Sequence, residues 1–339
     1  SLGARLVRDA AGGGYRIERV YRHDPDYPDE RSPLADPALG MAEGDVIVAV
    51  NGRATLDAPA MGALLREQAG DQVLLTVRPA GAGPDGDTFD RVVVPLASER
   101  GLRYADWEVT RRERVEEAGA GDLGYVHLQA MGGGNITEWY RQFYPVFDRK
   151  GLIVDVRTNR GGNIDSFILN DLIREAWMYW KTRVGRNDWN MQYAFRGHVV
   201  VLVDQNTASD GEAFADGFRR LDLGPVIGMR TWGGEIWLSS VNRLSDGGLA
   251  RAPMMGVYGP EREWLIEQEG VIPDMEVDNL PHATFNGEDA QLDAAIEYLL
   301  DRIAEDPRAV PEAPAYPDRS FEYPTRASGG SESGGGGGG

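Results

Sequence analysis

Val199 to Val203 are five consecutive apolar, mostly β-branched residues, set between His198 and the turn-formers Asp204 to Thr207. Such a run reads as a strand covered on both faces, the kind found in parallel sheets flanked by helices. Just beyond the turn, Phe214, Phe218 and Leu221 recur at helical spacing, which predicts a helix over residues 212–220. Ser209 therefore falls between the end of a buried strand and the first turn of a helix. A hydroxyl there is exposed, and the unpaired N–H groups of the helix can stabilise an anion. Acyl-transfer nucleophiles use this geometry, with the next residue supplying one oxyanion donor. An ordinary N-cap serine uses it as well, and this stretch alone does not separate the two.

A second buried strand is predicted at Gly151 to Arg157, followed by Thr158-Asn159-Arg160-Gly161-Gly162-Asn163. If the two strands are neighbours, both loops lie at the carboxyl edge of the sheet, where α/β sheets place their sites. Gly162 N–H and Asp210 N–H could then form an oxyanion hole beside Ser209. The glycine pair also suits a plain strand-to-helix turn.

Composition narrows the chemistry. With 35 basic and 54 acidic side chains the formal net charge is −19, which argues against nucleic acid and anionic membrane surfaces as partners. There is no cysteine, hence no disulfide framework, thiol nucleophile or cysteine metal site. No run approaches the roughly 18 apolar residues of a membrane span. The sequence starts at Ser1 without a signal-peptide pattern, and it reads as a piece of something longer.

The chain divides into three parts. Residues 1–97 read as a β-rich domain, with an alternating strand at Tyr15–Tyr21, a buried strand at Val46–Val50 and an Asn51-Gly52 hairpin turn. A helix is expected at 58–68, with further strands at 72–78 and 89–96. Residues 98–306 open with a helical connector at 103–118 and a strand at 123–131. Helices follow at 136–148 and 166–180, then a long loop at 182–196. An amphipathic helix at 287–306 carries Leu292, Ala295, Ile296, Leu299, Leu300 and Ile303 on one stripe. Residues 307–339 turn to Pro, Gly and Ser and are expected to be disordered.

The core "EGDVIVAVNGR" and the order of elements around it resemble a PDZ domain, a module that adds a peptide to a sheet edge. "GLIVDVRTNRGGN", "VVVLVDQNTASDGEAFADGF", "PVIGMRTWGGE" and "EQEGVIPDMEVDN" resemble the catalytic core of tricorn proteases, in the tail-specific (S41) serine peptidase clan. The resemblance covers essentially residues 1–305. It implies an α/β ClpP/crotonase-like core, a serine endopeptidase activity without metal or organic cofactor, peptide substrates and a large homo-oligomer, a hexamer by family pattern. It also implies a cytoplasmic setting, with the periplasm as the alternative. Ser209 would be the nucleophile, and Gly162 and Asp210 the oxyanion donors. Glu267 would occupy the position of the catalytic glutamate, with Glu269 as its neighbouring alternative. Asp188 is the candidate acidic specificity residue.

The family's general-base histidine precedes its PDZ domain, so it is expected outside this sequence. His23, His127, His198 and His282 read as structural or solvated. A Ser–Lys dyad is excluded because the only lysines, Lys150 and Lys181, both precede Ser209. The competing class is a PDZ-bearing scaffold whose protease-like core is inert. A crotonase-type acyl-CoA enzyme shares the oxyanion logic but does not use a serine at the head of this helix.

Overall fold

The computed structural model describes residues 1–321 apart from Arg186 and Ser239. The first part is an antiparallel sheet of six strands in the order β1-β2-β3-β5-β6, with the short β4 paired to β3. These are β1 (Ala4–Asp9), β2 (Gly14–Val20), β3 (Val46–Val50), β4 (Arg53–Ala54), β5 (Val73–Arg78) and β6 (Phe89–Val93). Asn51 and Gly52 both have positive φ, 49° and 76°, as the tight β3–β4 turn demands. The helix expected at 58–68 shrinks to α1 (Met61–Leu64). Pro59, Gly62 and Gly70 leave that segment little helical preference. Strand β1 was not foreseen from the sequence pattern.

Helix α2 (Arg100–Ala118) leads into the second sheet, which is wholly parallel and ordered β15-β12-β11-β8-β7. Its strands are β7 (Leu123–His127), β8 (Gly151–Asp155), β11 (His198–Val203), β12 (Val226–Gly228) and β15 (Met275–Glu276). The residues of β7, β8 and β11 are buried throughout, as their unbroken apolar runs predict. Each fully buried Val, Leu or Ile contributes about 1.5–3 kcal/mol relative to exposure. Helices α3 (Asn135–Phe143), α4 (Asp165–Leu172) and α5 (Asp210–Arg220) cover one face, and α2 and α7 (Ala290–Glu305) the other.

The helix expected at 166–180 stops at Leu172. Met178–Trp180 instead forms β9 and pairs antiparallel with β10 (Asp188–Asn190), inside the segment read as a long loop. Its consecutive aromatic residues suit a strand better than a helix. Two short strands, β13 (Trp237–Leu238) and β14 (Pro253–Met255), and a short helix, α6 (Pro281–Phe285), lie outside the two main sheets. Residues 307–321 carry no regular secondary structure, and the rest of the predicted disordered tail lies outside the described residues. Among the described residues no helix is long and apolar enough to cross a membrane.

A buried ion network ties the sheet to its flanking helices. Asp155, at the end of β8, receives the Tyr125 hydroxyl at 2.8 Å and Arg157 Nη2 at 2.6 Å. Arg157 Nη1 reaches Asp289 at 2.6 Å, and Arg111 of α2 reaches the same carboxylate at 3.0 Å. Asp289 also caps α7 by accepting from Leu292 N–H. Though Asp289 is buried, which alone would raise its pKa, the Arg157 and Arg111 charges and the bonds from Arg157 and Asn279 hold it down at about 2. The first domain docks on the same scaffold, with Asp24 bonded to Arg112 of α2 and Arg141 of α3, both at 2.9 Å.

Removing one partner of such a network strands a buried charge. Asp289→Ala is expected to destabilise the protein by about 3 kcal/mol at pH 7 in urea unfolding. Because the folded pKa lies below that of a free carboxylate, the contribution is present above about pH 4 and fades as pH falls towards 2. The gap between parent and variant should therefore close in acid. A loss under about 1 kcal/mol at pH 7 would contradict this reading.

Candidate active site

Four loops leave the carboxyl edge of the parallel sheet side by side, after β7, β8, β11 and β12. Asn159, fully buried, joins the first three. Its side chain donates to Leu128 O at 2.6 Å and accepts from Gly161 N–H at 2.8 Å, and its carbonyl accepts from Ala208 N–H at 2.9 Å. Thr207 Oγ1 donates to Val156 O at 2.8 Å, and Trp232 N–H donates to Thr207 O at 3.0 Å, which brings in the fourth loop. The backbone leading into Ser209 is therefore tied to the loops after β8 and β12.

Ser209 has φ 52° and ψ −126°, a sparsely populated conformation for a residue with a side chain. Such geometry costs of order 1–3 kcal/mol and persists only where the surroundings impose it. Here Glu212 imposes it. Its Oε2 accepts from Ser209 N–H at 2.9 Å and Gly234 N–H at 3.0 Å, while Oε1 accepts from Thr231 Oγ1 at 2.5 Å and Gly233 N–H at 2.7 Å. In return, Glu212 N–H donates to the Ser209 carbonyl at 2.6 Å. Ser209 and Glu212 thus form a reciprocal capping box at the head of α5, without a close side-chain hydrogen bond to the Ser209 hydroxyl.

The Gly161-Gly162 turn lies directly against Ser209. A Cβ on Gly161 would stand 2.5 Å from Ser209 Cβ and 3.0 Å from its Oγ, and φ is +80°. A Cβ on Gly162 would overlap the Met131 carbonyl oxygen, because residues 161–163 bridge to Met131 through Met131 N–H to Gly161 O and Asn163 N–H to Met131 O, both 2.8 Å. The glycines thus serve the turn and place it beside the serine at once. Asp210, the first residue of α5, is buried and turns its carboxylate to Ile164 N–H at 2.6 Å and Asp165 N–H at 3.1 Å, at the start of α4. Burial and the nearby Asp165 charge push its pKa up to about 7.

Glu267 lies on the rim of this arrangement. Its Oε2 accepts from Glu235 N–H at 2.8 Å and Ile236 N–H at 2.9 Å. Glu269 is exposed, and its carbonyl accepts from Arg230. Trp232 is 64% exposed. Ile236 lines a cavity of about 470 Å³ with Pro253, Met254, Met255, Trp264 and Leu265, and Glu267 stands at its edge. Asp188 sits exposed on the β9–β10 hairpin and accepts from Trp189 N–H at 2.8 Å. Trp189 packs near Phe147, beyond the end of α3, and no described bond of Asp188 reaches the Ser209 loop.

None of the four histidines is bonded to Ser209 among the described residues. His198 begins β11 and meets the Asp306 carbonyl at 2.7 Å, at the far edge of the sheet. His127 is buried under Trp107, with Nδ1 2.8 Å from Asp155 O, and burial lowers its pKa. His23 lies in a loop of the first domain and His282 on α6. Groups of acidic or histidine side chains able to hold a metal are absent among the described residues. Asn159, Glu212 and Glu235 were not singled out from the sequence. Only Glu212 left a signal there, as the fourth residue of Ser209-x-x-Glu212, a capping-box spacing.

Residues 122–277 match Peptidase family S41, and residues 1–98 match the tricorn protease PDZ domain. The chain is 39% identical over 310 residues to tricorn protease homolog 1 of Streptomyces coelicolor, covering 91% of this chain and 29% of that protein. It is 30% identical over 304 residues to the tricorn protease of Thermoplasma acidophilum, covering 90% of this chain and 28% of that one. A crystal structure of the tricorn protease superposes with a TM-score of 0.78 at 29% identity, over 90% of this chain and 29% of the other. The chain spans less than a third of the length of these relatives.

Gly161→Ala tests the contact between turn and serine. We expect a stability loss of about 1–3 kcal/mol from the left-handed backbone. Fluorophosphonate labelling of Ser209 in the full-length protein should slow by tenfold or more. Labelling at the parent rate would show that the turn does not shape the serine.

Proposed function

The chain belongs to peptidase family S41, with a tricorn-type PDZ domain ahead of its peptidase domain, and on that premise we propose that it hydrolyses peptides through an acyl-enzyme on Ser209. The observation that carries this reading is the strained Ser209 turn with the Gly161-Gly162 turn packed against it at one sheet edge. In the proposed reaction Ser209 Oγ attacks the scissile carbonyl. The oxyanion that forms is held by Gly162 N–H and Asp210 N–H, the second strengthened by the α5 N-terminus. Glu267 orders the rim of the site, and Asp188 remains a candidate for the choice of side chain.

A serine without a base is a weak nucleophile. The positions of His23, His127, His198 and His282 support a base supplied from outside residues 1–339. The same observation favours the second reading, an inert peptide-binding scaffold. We further propose three parts as domains, residues 1–97, 98–306 and 307–339, and a homo-oligomer of hexameric order acting on peptides in the cytoplasm.

In the full-length protein a fluorophosphonate should label Ser209. Ser209→Ala should abolish peptidase activity with the fold intact, a loss on the order of 10⁶-fold in kcat for such a nucleophile. Residues 1–339 alone should turn over a fluorogenic tripeptide at no more than the residual roughly 10³–10⁴-fold over water that binding and oxyanion stabilisation leave. Adding the segment that precedes them in the full-length protein should restore turnover. Full activity in Ser209→Ala would end the reading. Brisk turnover by residues 1–339 alone, lost on mutating His127 or His198, would relocate the base.

A further inference from the structure

Glu235 follows directly on the two glycines that bond Glu212, so its backbone runs beside the Ser209 cap. Its N–H donates to Glu267, which holds the backbone of the residue against that side chain. The side chain is only 2% exposed, yet Oε2 has no hydrogen-bond partner among the described residues. A buried carboxyl oxygen without a partner is costly and calls for an explanation. No cation supplies one, since no described ion pair involves Glu235. The groups around it are of its own sign: Asp210 and Glu212 on α5, Asp165 at the start of α4, and Glu267 on the loop that holds its N–H.

We propose that the Glu235 carboxylic acid donates a hydrogen bond to a peptide carbonyl of the substrate bound beside Ser209, making it a substrate-positioning residue. The proposal rests on the peptidase reading of this site. An ionised carboxylate only accepts, whereas a protonated one carries an O–H donor, and a peptide carbonyl needs a donor. Among four other carboxyl groups, out of water, the neutral form is the one the surroundings tolerate. Burial, then the Asp210 and Glu212 charges, push the Glu235 pKa up to about 8, against a hydrogen bond from the Trp237 side chain that favours the ionised form. The donor is therefore present at neutral pH and is lost as pH rises through about 8. Once ionised, the same oxygen would repel a substrate carbonyl. The residue thus couples substrate binding to pH without taking part in the acyl transfer itself. Ile236, the next residue, lines the 470 Å³ cavity, so a peptide held at Glu235 would have an apolar cleft beside it.

The test uses the full-length protein and hydrolysis of fluorescein-labelled casein from pH 6 to 9.5, comparing parent, E235Q and E235A, with Ser209→Ala as the blank. The parent kcat/KM should fall towards tenfold per pH unit above about 8. E235Q keeps an N–H donor that does not titrate. It should stay within about threefold of the parent at pH 7 and lack the alkaline fall. E235A should lose about tenfold at pH 7, chiefly through KM. An alkaline fall in E235Q at the same pH as the parent, or an E235A protein matching the parent at pH 7, overturns the assignment. Turnover that survives Ser209→Ala instead overturns the peptidase reading beneath it.

Discussion

The Glu212 carboxylate is the interaction on which the site depends. It is fully buried and accepts four hydrogen bonds, from Ser209 N–H, Thr231 Oγ1, Gly233 N–H and Gly234 N–H. Bonds to a charged acceptor contribute about 1.5–3 kcal/mol each, enough together to offset both the burial of the charge and the strained serine backbone. Its place in the first turn of α5 adds the favourable end of the helix dipole. One side chain thus sets the conformation of the nucleophile candidate and the course of the segment 231–236 that passes it. That segment in turn delivers Glu235 and Ile236 to Glu267.

Beneath this lies a hierarchy. Unbroken apolar strands form the parallel sheet, and the sheet order puts the β8 and β11 loops side by side. Asn159 locks them at atomic distance, with bonds into three loops. The ion network of Asp155, Arg157 and Asp289 then pins the start of the β8 loop to α7 and, through Arg111, to α2. Each level needs the one below. A polar hub such as Asn159 is worth its burial only where the strands already hold its partners in place.

Much of this was legible from residue patterns. Val199–Val203 and Gly151–Arg157 could hardly be anything but central strands, and the small-residue loops after them pointed to one sheet edge. The Asn51-Gly52 turn was readable because two consecutive positive φ angles suit few other pairs. Elements with weak local preference were not readable. Strand β9 was hidden in an apparent helical period, and α1 was overestimated because its apolar spacing outweighed the weak helical preference that Pro59, Gly62 and Gly70 give the segment. Glu235 and Asn159 gave no signal, since a lone polar residue in a loop looks solvated until the fold buries it. Asp188 lies exposed on the β9–β10 hairpin.

The central claim is that the loops after β8 and β11 together form a cradle for a developing oxyanion beside Ser209. A crystal structure of the full-length protein with a peptide boronate on Ser209 tests it most directly. The account predicts a covalent bond from Ser209 Oγ to boron, with one boronate oxygen about 2.7–3.1 Å from both Gly162 N and Asp210 N. A boronate oxygen facing away from both amides, or an adduct on another residue, would contradict it.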